Sequence, residues 1–95
     1  MAVETVKTAD KALAKIVITL GDGDSHELVL NGAGAILSAA ADVTVKVTTM
    51  GDVDLDLAGL NASNVTIPEG FKSVTVTDVG DGTTVTAYYT KNAGN

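Results

Sequence analysis

Cysteine is absent from the 95 residues, which excludes disulfides and thiolate-held metals. Tryptophan is absent too, and the aromatic total is three: Phe71, Tyr88 and Tyr89. So few rings offer no stacking platform for sugars or bases. His26 is the only histidine, and no serine sits in a GxSxG elbow. With no nucleophile, metal cluster or phosphate loop in view, the chain is expected not to be an enzyme and to carry no cofactor. Basic residues are scarce, six Lys and Arg against twelve Asp and Glu, for a net charge of -6. An acidic chain without a basic cluster repels a phosphate backbone, so nucleic acid is not an expected partner. No apolar run is long enough to span a membrane, so no membrane partner is expected either. The opening residues, MAVETVK, lack the basic and apolar regions of a signal peptide, which points to synthesis and retention in a cytoplasm.

What remains is aliphatic. Hydrophobic residues make up 45% of the chain, mostly valine and alanine. A domain near this size buries roughly 60–65% of its unfolded surface. Valine contributes less on burial than a large aromatic does. The margin of stability is therefore thin, and a partner or a second copy is expected to add burial.

The organising stretch is Asn64–Thr90. Val74 and Val76 fall on one side of an extended chain, and Ser73, Thr75 and Thr77 on the other. Beyond Asp78-Val79-Gly80-Asp81-Gly82 the alternation resumes. Val85, Ala87 and Tyr89 share one face; Thr84, Thr86, Tyr88 and Thr90 share the other. Two such runs around a Gly/Asp link read as a hairpin, fed by a turn at Pro68-Glu69-Gly70. Tyr88 and Tyr89 point to opposite faces, one to the core and one to solvent.

The same patterning recurs upstream. Leu13–Leu20 reads as a strand apolar on both sides, and Gly21–Ser25 as a turn returning through Glu27–Leu30 to make a first hairpin. Ala35–Ala41 is ambiguous: alanine favours a helical turn, whereas the upstream glycines favour a compact loop carrying Ile36 and Leu37 inward. Val43–Thr49 and Val53–Ala58 alternate, the second with Val53, Leu55 and Leu57 inward. Gly59–Ser63 is a loop before Val65–Ile67. The count is about seven short strands, so the fold expected is an all-β, antiparallel β-sandwich or small barrel. It forms one domain over 1–95: an extended N-terminal arm (1–12), a β core (13–90) and a polar tail (91–95). In the arm, Val3, Val6 and Leu13 fit a weak helical stripe and Val3 and Thr5 fit one face of an extended segment, and the extended arm is the expectation.

Several clusters invite chemistry. Gly21–Glu27 (GDGDSHE) gathers oxygen ligands suited to a hard cation, but departs from EF-hand spacing. As a plain acidic turn it needs no ion. Asp52, Asp54 and Asp56 would line one strand face, where a cation, a basic partner or solvent relieves their repulsion. Asp78–Gly82 has the same two readings. Asn61-Ala62-Ser63 and Asn64-Val65-Thr66 match the glycosylation acceptor pattern, without a secretory signal to support it. No metal site is assigned.

The wording NVTIPEGFKSVTVTDVGDGTTVTAYYT, with the length, the absence of cysteine and the Val/Thr/Ala/Gly richness, resembles the small β-rich proteins that decorate phage heads. That resemblance implies a structural virion protein, a cement or decoration protein made in the host cytoplasm and residing in the virion. Its partners would be the major capsid protein or another virion protein, and it would act as a homo-oligomer. The alternative is a carbohydrate- or surface-binding β-sandwich module, with or without calcium. For partner binding, the candidate residues are Val3, Val6, Thr75, Thr77, Thr84, Thr86 and Tyr88, the last five as one mild, uncharged surface.

Overall fold

Period-two alternation governs the backbone. The computed structural model describes residues 2–6, 13–39, 43–60 and 64–90, and these form nine strands with no helix among them. They are β1 (Ala2–Val6), β2 (Leu13–Leu20), β3 (Ser25–Val29), β4 (Ala35–Ala39), β5 (Val43–Thr49), β6 (Asp54–Leu60), β7 (Asn64–Ile67), β8 (Phe71–Asp78) and β9 (Thr83–Thr90). One sheet has the order β1-β2-β9-β4-β7 and the other β3-β8-β5-β6. Every pairing is antiparallel.

The pairings are nested. β5 lies on β6, β4 on β7, β3 on β8 and β2 on β9, as in one long hairpin. That hairpin is rolled so that β4 also meets β9, and β5 also meets β8. This is the jelly-roll form of the β-sandwich. Its core is a single aliphatic layer in which Ile18, Leu20, Leu30, Leu37, Val47 and Val85 are at most 2% exposed. Each comes from the inward position of a β-branched or leucine-rich alternation, where the pleat stacks side chains against the facing sheet.

Three sequence expectations are corrected. The stretches 13–30 and 71–90 are not hairpins. β2 and β3 sit in different sheets, as do β8 and β9, and the turns 21–24 and 79–82 carry the chain across the sandwich. A corner between sheets and a turn within one leave the same buried alternation, so the pattern does not separate them. Ala35–Ala39 is neither helix nor loop but strand β4, with Ala35, Leu37 and Ala39 buried and Ile36 turned out. Bonding to β9 and β7 on both sides overrides alanine's helical preference. With β4 and the extended β1, the strand total rises from about seven to nine. Finally, Val53 and Leu55 are not buried. Leu55 pairs with Val47 and shares its inner side, but β6 is a sheet edge, which leaves Leu55 46% exposed.

The rest of the N-terminal arm (7–12), the tail (91–95), residues 40–42 and the first acceptor triplet Asn61-Ala62-Ser63 lie outside the described residues. No described helix is long and apolar enough to cross a membrane.

Candidate functional site

The two outer faces of the sandwich differ in chemistry. On the five-stranded sheet, register sets Val6 opposite Lys15, Lys15 opposite Tyr88, Tyr88 opposite Ile36 and Ile36 opposite Thr66. These residues make one row across all five strands, because directly opposed residues of antiparallel strands share a face. The next row is Glu4, Val17, Thr86, Ser38 and Asn64. Thr84 follows, opposite Thr19. Only Glu4 and Lys15 bring charge to these rows.

Lys15 Nζ lies 5.6 Å from the centroid of the Tyr88 ring, a cation–π contact that holds the ring against the sheet. Beside it runs a groove of about 490 Å³, lined by Leu13, Ile36, Thr66, Pro68, Glu69 and Tyr88. Ile36 is 47% exposed and Tyr88 38%. The groove exists because β4 turns Ile36 outward and β9 turns Tyr88 outward in the same register. Tyr89, one residue on, is buried, and burial raises its hydroxyl above the ordinary tyrosine value.

The other outer face is charged. Lys46 opposes Asp56, and its ammonium lies 3.5 Å from Asp54. The Thr48 hydroxyl donates to Asp54 Oδ1 at 2.9 Å. That bond, and then the Lys46 charge, lowers the Asp54 carboxyl below its usual range. Asp52 sits off the strand in the preceding turn, at φ 63°, and accepts from Lys72 Nζ at 2.6 Å. The Asp52 hydrogen bond, then its charge, raises the Lys72 ammonium. Both aspartates are thus met by lysines of this chain, Asp54 across the neighbouring strand and Asp52 through a distant pairing that sequence spacing does not reveal.

The candidate contact residues divide accordingly. Val6, Thr84, Thr86 and Tyr88 lie together on the outer face of the five-stranded sheet. Thr75 and Thr77, on β8, lie on the opposite outer face, beside Lys46 and Thr44. The five residues from Thr75 to Tyr88 therefore do not make one surface. Val3 opposes Ile18 and faces the inner side of the sheet. Ile36 and Lys15 were missed. Once the alanine-rich segment is read as a strand, its alternation places Ile36 outward.

The acidic turns converge at one end of the sandwich. The Asp24 carbonyl accepts from Asp78 N–H at 2.9 Å, and a Cβ on Gly82 would lie 3.0 Å from the Leu20 carbonyl. Each aspartate organises its own turn. Gly21 N–H donates to Asp24 Oδ2 at 2.9 Å, and Gly82 N–H to Asp78 Oδ2 at 3.0 Å. Among the described residues no three His, Asp or Glu side chains come together as a metal site.

No protein-family model matches the chain, and no curated protein matches it in sequence. Its fold does match solved structures. Oxalate oxidase in complex with glycolate superposes with a TM-score of 0.73 at 15% identity, over 99% of this chain and 51% of that one. An oxalate decarboxylase variant from Bacillus subtilis gives 0.73 at 12%, over 93% and 24%. The cupin domain of Schizosaccharomyces pombe Cnp3 gives 0.66 at 9%, over 93% and 59%. The chain thus spans about half the length of the oxidase and a quarter of the decarboxylase. At such identities the likeness establishes the jelly-roll sandwich.

It also overturns the sequence-based expectation of a non-enzyme, since proteins of this fold include enzymes named for the oxidation and decarboxylation of oxalate. Proton-coupled electron transfer is named for one such decarboxylase. Among the described residues the inner face is aliphatic apart from Asp78 and Tyr89, and the one histidine, His26, is half-buried opposite Val76 on the edge strand β3. Among the described residues no converging set of donors fits a bound redox metal.

Proposed function

We propose that this chain is a structural protein that docks on a protein lattice, as a phage capsid decoration protein does, through the outer face of its five-stranded sheet. One observation carries this reading: the row Val6-Lys15-Tyr88-Ile36-Thr66 makes a nearly uncharged strip crossing the whole sheet, with a groove of about 490 Å³ beside Tyr88. A half-exposed isoleucine beside a half-exposed tyrosine supplies apolar area with a polar tip, the chemistry enriched at protein interfaces. Docking there adds its binding free energy to the assembled shell. The partner is a capsid or other virion protein, the chain reaches the virion from the host cytoplasm, and copies associate on the lattice.

The test is co-sedimentation with undecorated phage heads. The wild-type chain pellets with heads, and Tyr88→Asp abolishes pelleting while the melting transition is retained. A folded wild-type chain that stays in the supernatant at every concentration sinks the proposal.

A further inference from the structure

We propose that the free edge of β3 is a strand-addition site for a basic, extended segment of a partner protein. This rests on the reading that the chain docks on another protein, but uses a different part of the surface.

The hydrogen bonds bracketing β3 fix which backbone groups are free. Asp78 N–H donates to the Asp24 carbonyl at 2.9 Å, and Leu30 N–H to the Lys72 carbonyl at 2.8 Å. In an antiparallel pair such bonds fall on alternate residues. His26 and Leu28 therefore turn their backbone groups to β8, while Ser25, Glu27 and Val29 turn theirs away from it. Among the described residues β3 is the terminal strand of its sheet, so those three residues present an open ladder.

A seat lies beside that ladder. The sheets hold five and four strands, with β2 and β3 joined by the turn 21–24 and β1 outside β2. β1 thus overhangs the position next to β3. Val3 faces inward from β1, and among the described residues it is left 45% exposed. His26 faces inward from β3 at the same margin, half-buried. A strand added to β3 would make the layers five against five and cover Val3. At the far side of the sandwich β7 and β6 both end their sheets, with no such overhang.

Charge selects the occupant. β1 and β3 carry Glu4 and Glu27 and no lysine. Glu27 is exposed on the outer side, its carboxylate accepting from Ser73 Oγ at 2.9 Å. Pairing β3 with β3 of a second copy would bring like carboxylates together across the ladder, which is destabilising. A segment with lysine or arginine on its outer side and a small apolar residue on its inner side meets both Glu27 and Val3.

Two probes test this by amide exchange on the full chain: a peptide alternating lysine and valine, and its counterpart with glutamate for lysine. The lysine peptide should slow exchange at Ser25, Glu27 and Val29, and the glutamate peptide should not. Glu27→Lys should reverse that preference. Val29→Pro removes one outward N–H at an edge position that tolerates proline, and should abolish binding while leaving melting cooperative. If that variant does not fold, the wild-type peptide titration decides. No slowing at the three amides overturns the proposal, as does slowing that appears without peptide and grows with protein concentration. Heads keep the two readings apart. Loss of pelleting by folded Val29→Pro supports the β3 site. Equal pelleting of wild type and Val29→Pro overturns it while head docking stands. Peptide protection without pelleting of either leaves the β3 site standing and head docking refuted.

Discussion

Asp78 brings a carboxylate into an aliphatic layer, 2% exposed and opposite Val43. Its Oδ2 accepts from Gly82 N–H, which ties down the turn between β8 and β9. Gly82 sits at φ 103°, and a side chain there would press on the Leu20 carbonyl, so the crossing needs this glycine and this acceptor together. Asp78→Ala should cost about 1–3 kcal/mol in urea unfolding, the penalty for a half-buried donor left unpaired, and Asp78→Asn should cost less because it keeps an acceptor. Tyr89 supplies a pH dependence. Burial raises its folded-state value above the unfolded one of about 10. Its contribution to stability is full below that unfolded value. It is lost as pH rises through the folded value, because the unfolded chain ionises first. The urea midpoint should therefore fall between pH 9 and pH 12 by more for wild type than for Tyr89→Phe. That one of two adjacent tyrosines is buried was legible in the alternation. The buried role of Asp78 was not, since an aspartate in a Gly/Asp run reads as an ordinary solvated turn residue.

At the scale of elements, β4 is the instructive strand. Its neighbours in sequence, Ile36 and Leu37, have opposite fates: Leu37 is 1% exposed and Ile36 47%. Leu37→Ala should cost about 2–5 kcal/mol by denaturant unfolding. Ile36→Ala should stay within about 0.5 kcal/mol while weakening any docking at the groove. Equal losses at both positions would contradict the strand. Alternation identified β2, β5, β8 and β9 because valine and threonine leave little else for the backbone to do. It failed at β4 because AILSAA carries helix-favouring alanines, and a five-residue strand held between β9 and β7 gets its stability from those neighbours. β6 misled in the other direction. Its alternation was read correctly, but no pattern within a strand says that the strand ends a sheet, and so Leu55 was placed in the core.

For the whole molecule, the fold class was legible and the wiring was not. Short strands with turn signals between them imply a sandwich, yet whether each turn closes a hairpin or crosses between sheets depends on contacts made far along the chain. Leu13 pairs with Thr90 and Leu20 with Thr83. Such non-local pairing pays loop-closure entropy before any contact rewards it, so refolding from urea should be slow for so short a chain, on the order of milliseconds to seconds by stopped flow. Microsecond refolding would argue against this topology. The position of β9 has a further consequence, for biosynthesis. β9 lies between β2 and β4, bonded to both. Until residues 83–90 have left the ribosome, the five-stranded sheet is two separate pieces, each with an open edge where β9 will pair. The nascent chain therefore cannot close this sheet in stages during translation. It must be kept from aggregating until its last core strand emerges, and a premature stop before Thr83 leaves a product with no folded state of this kind to reach.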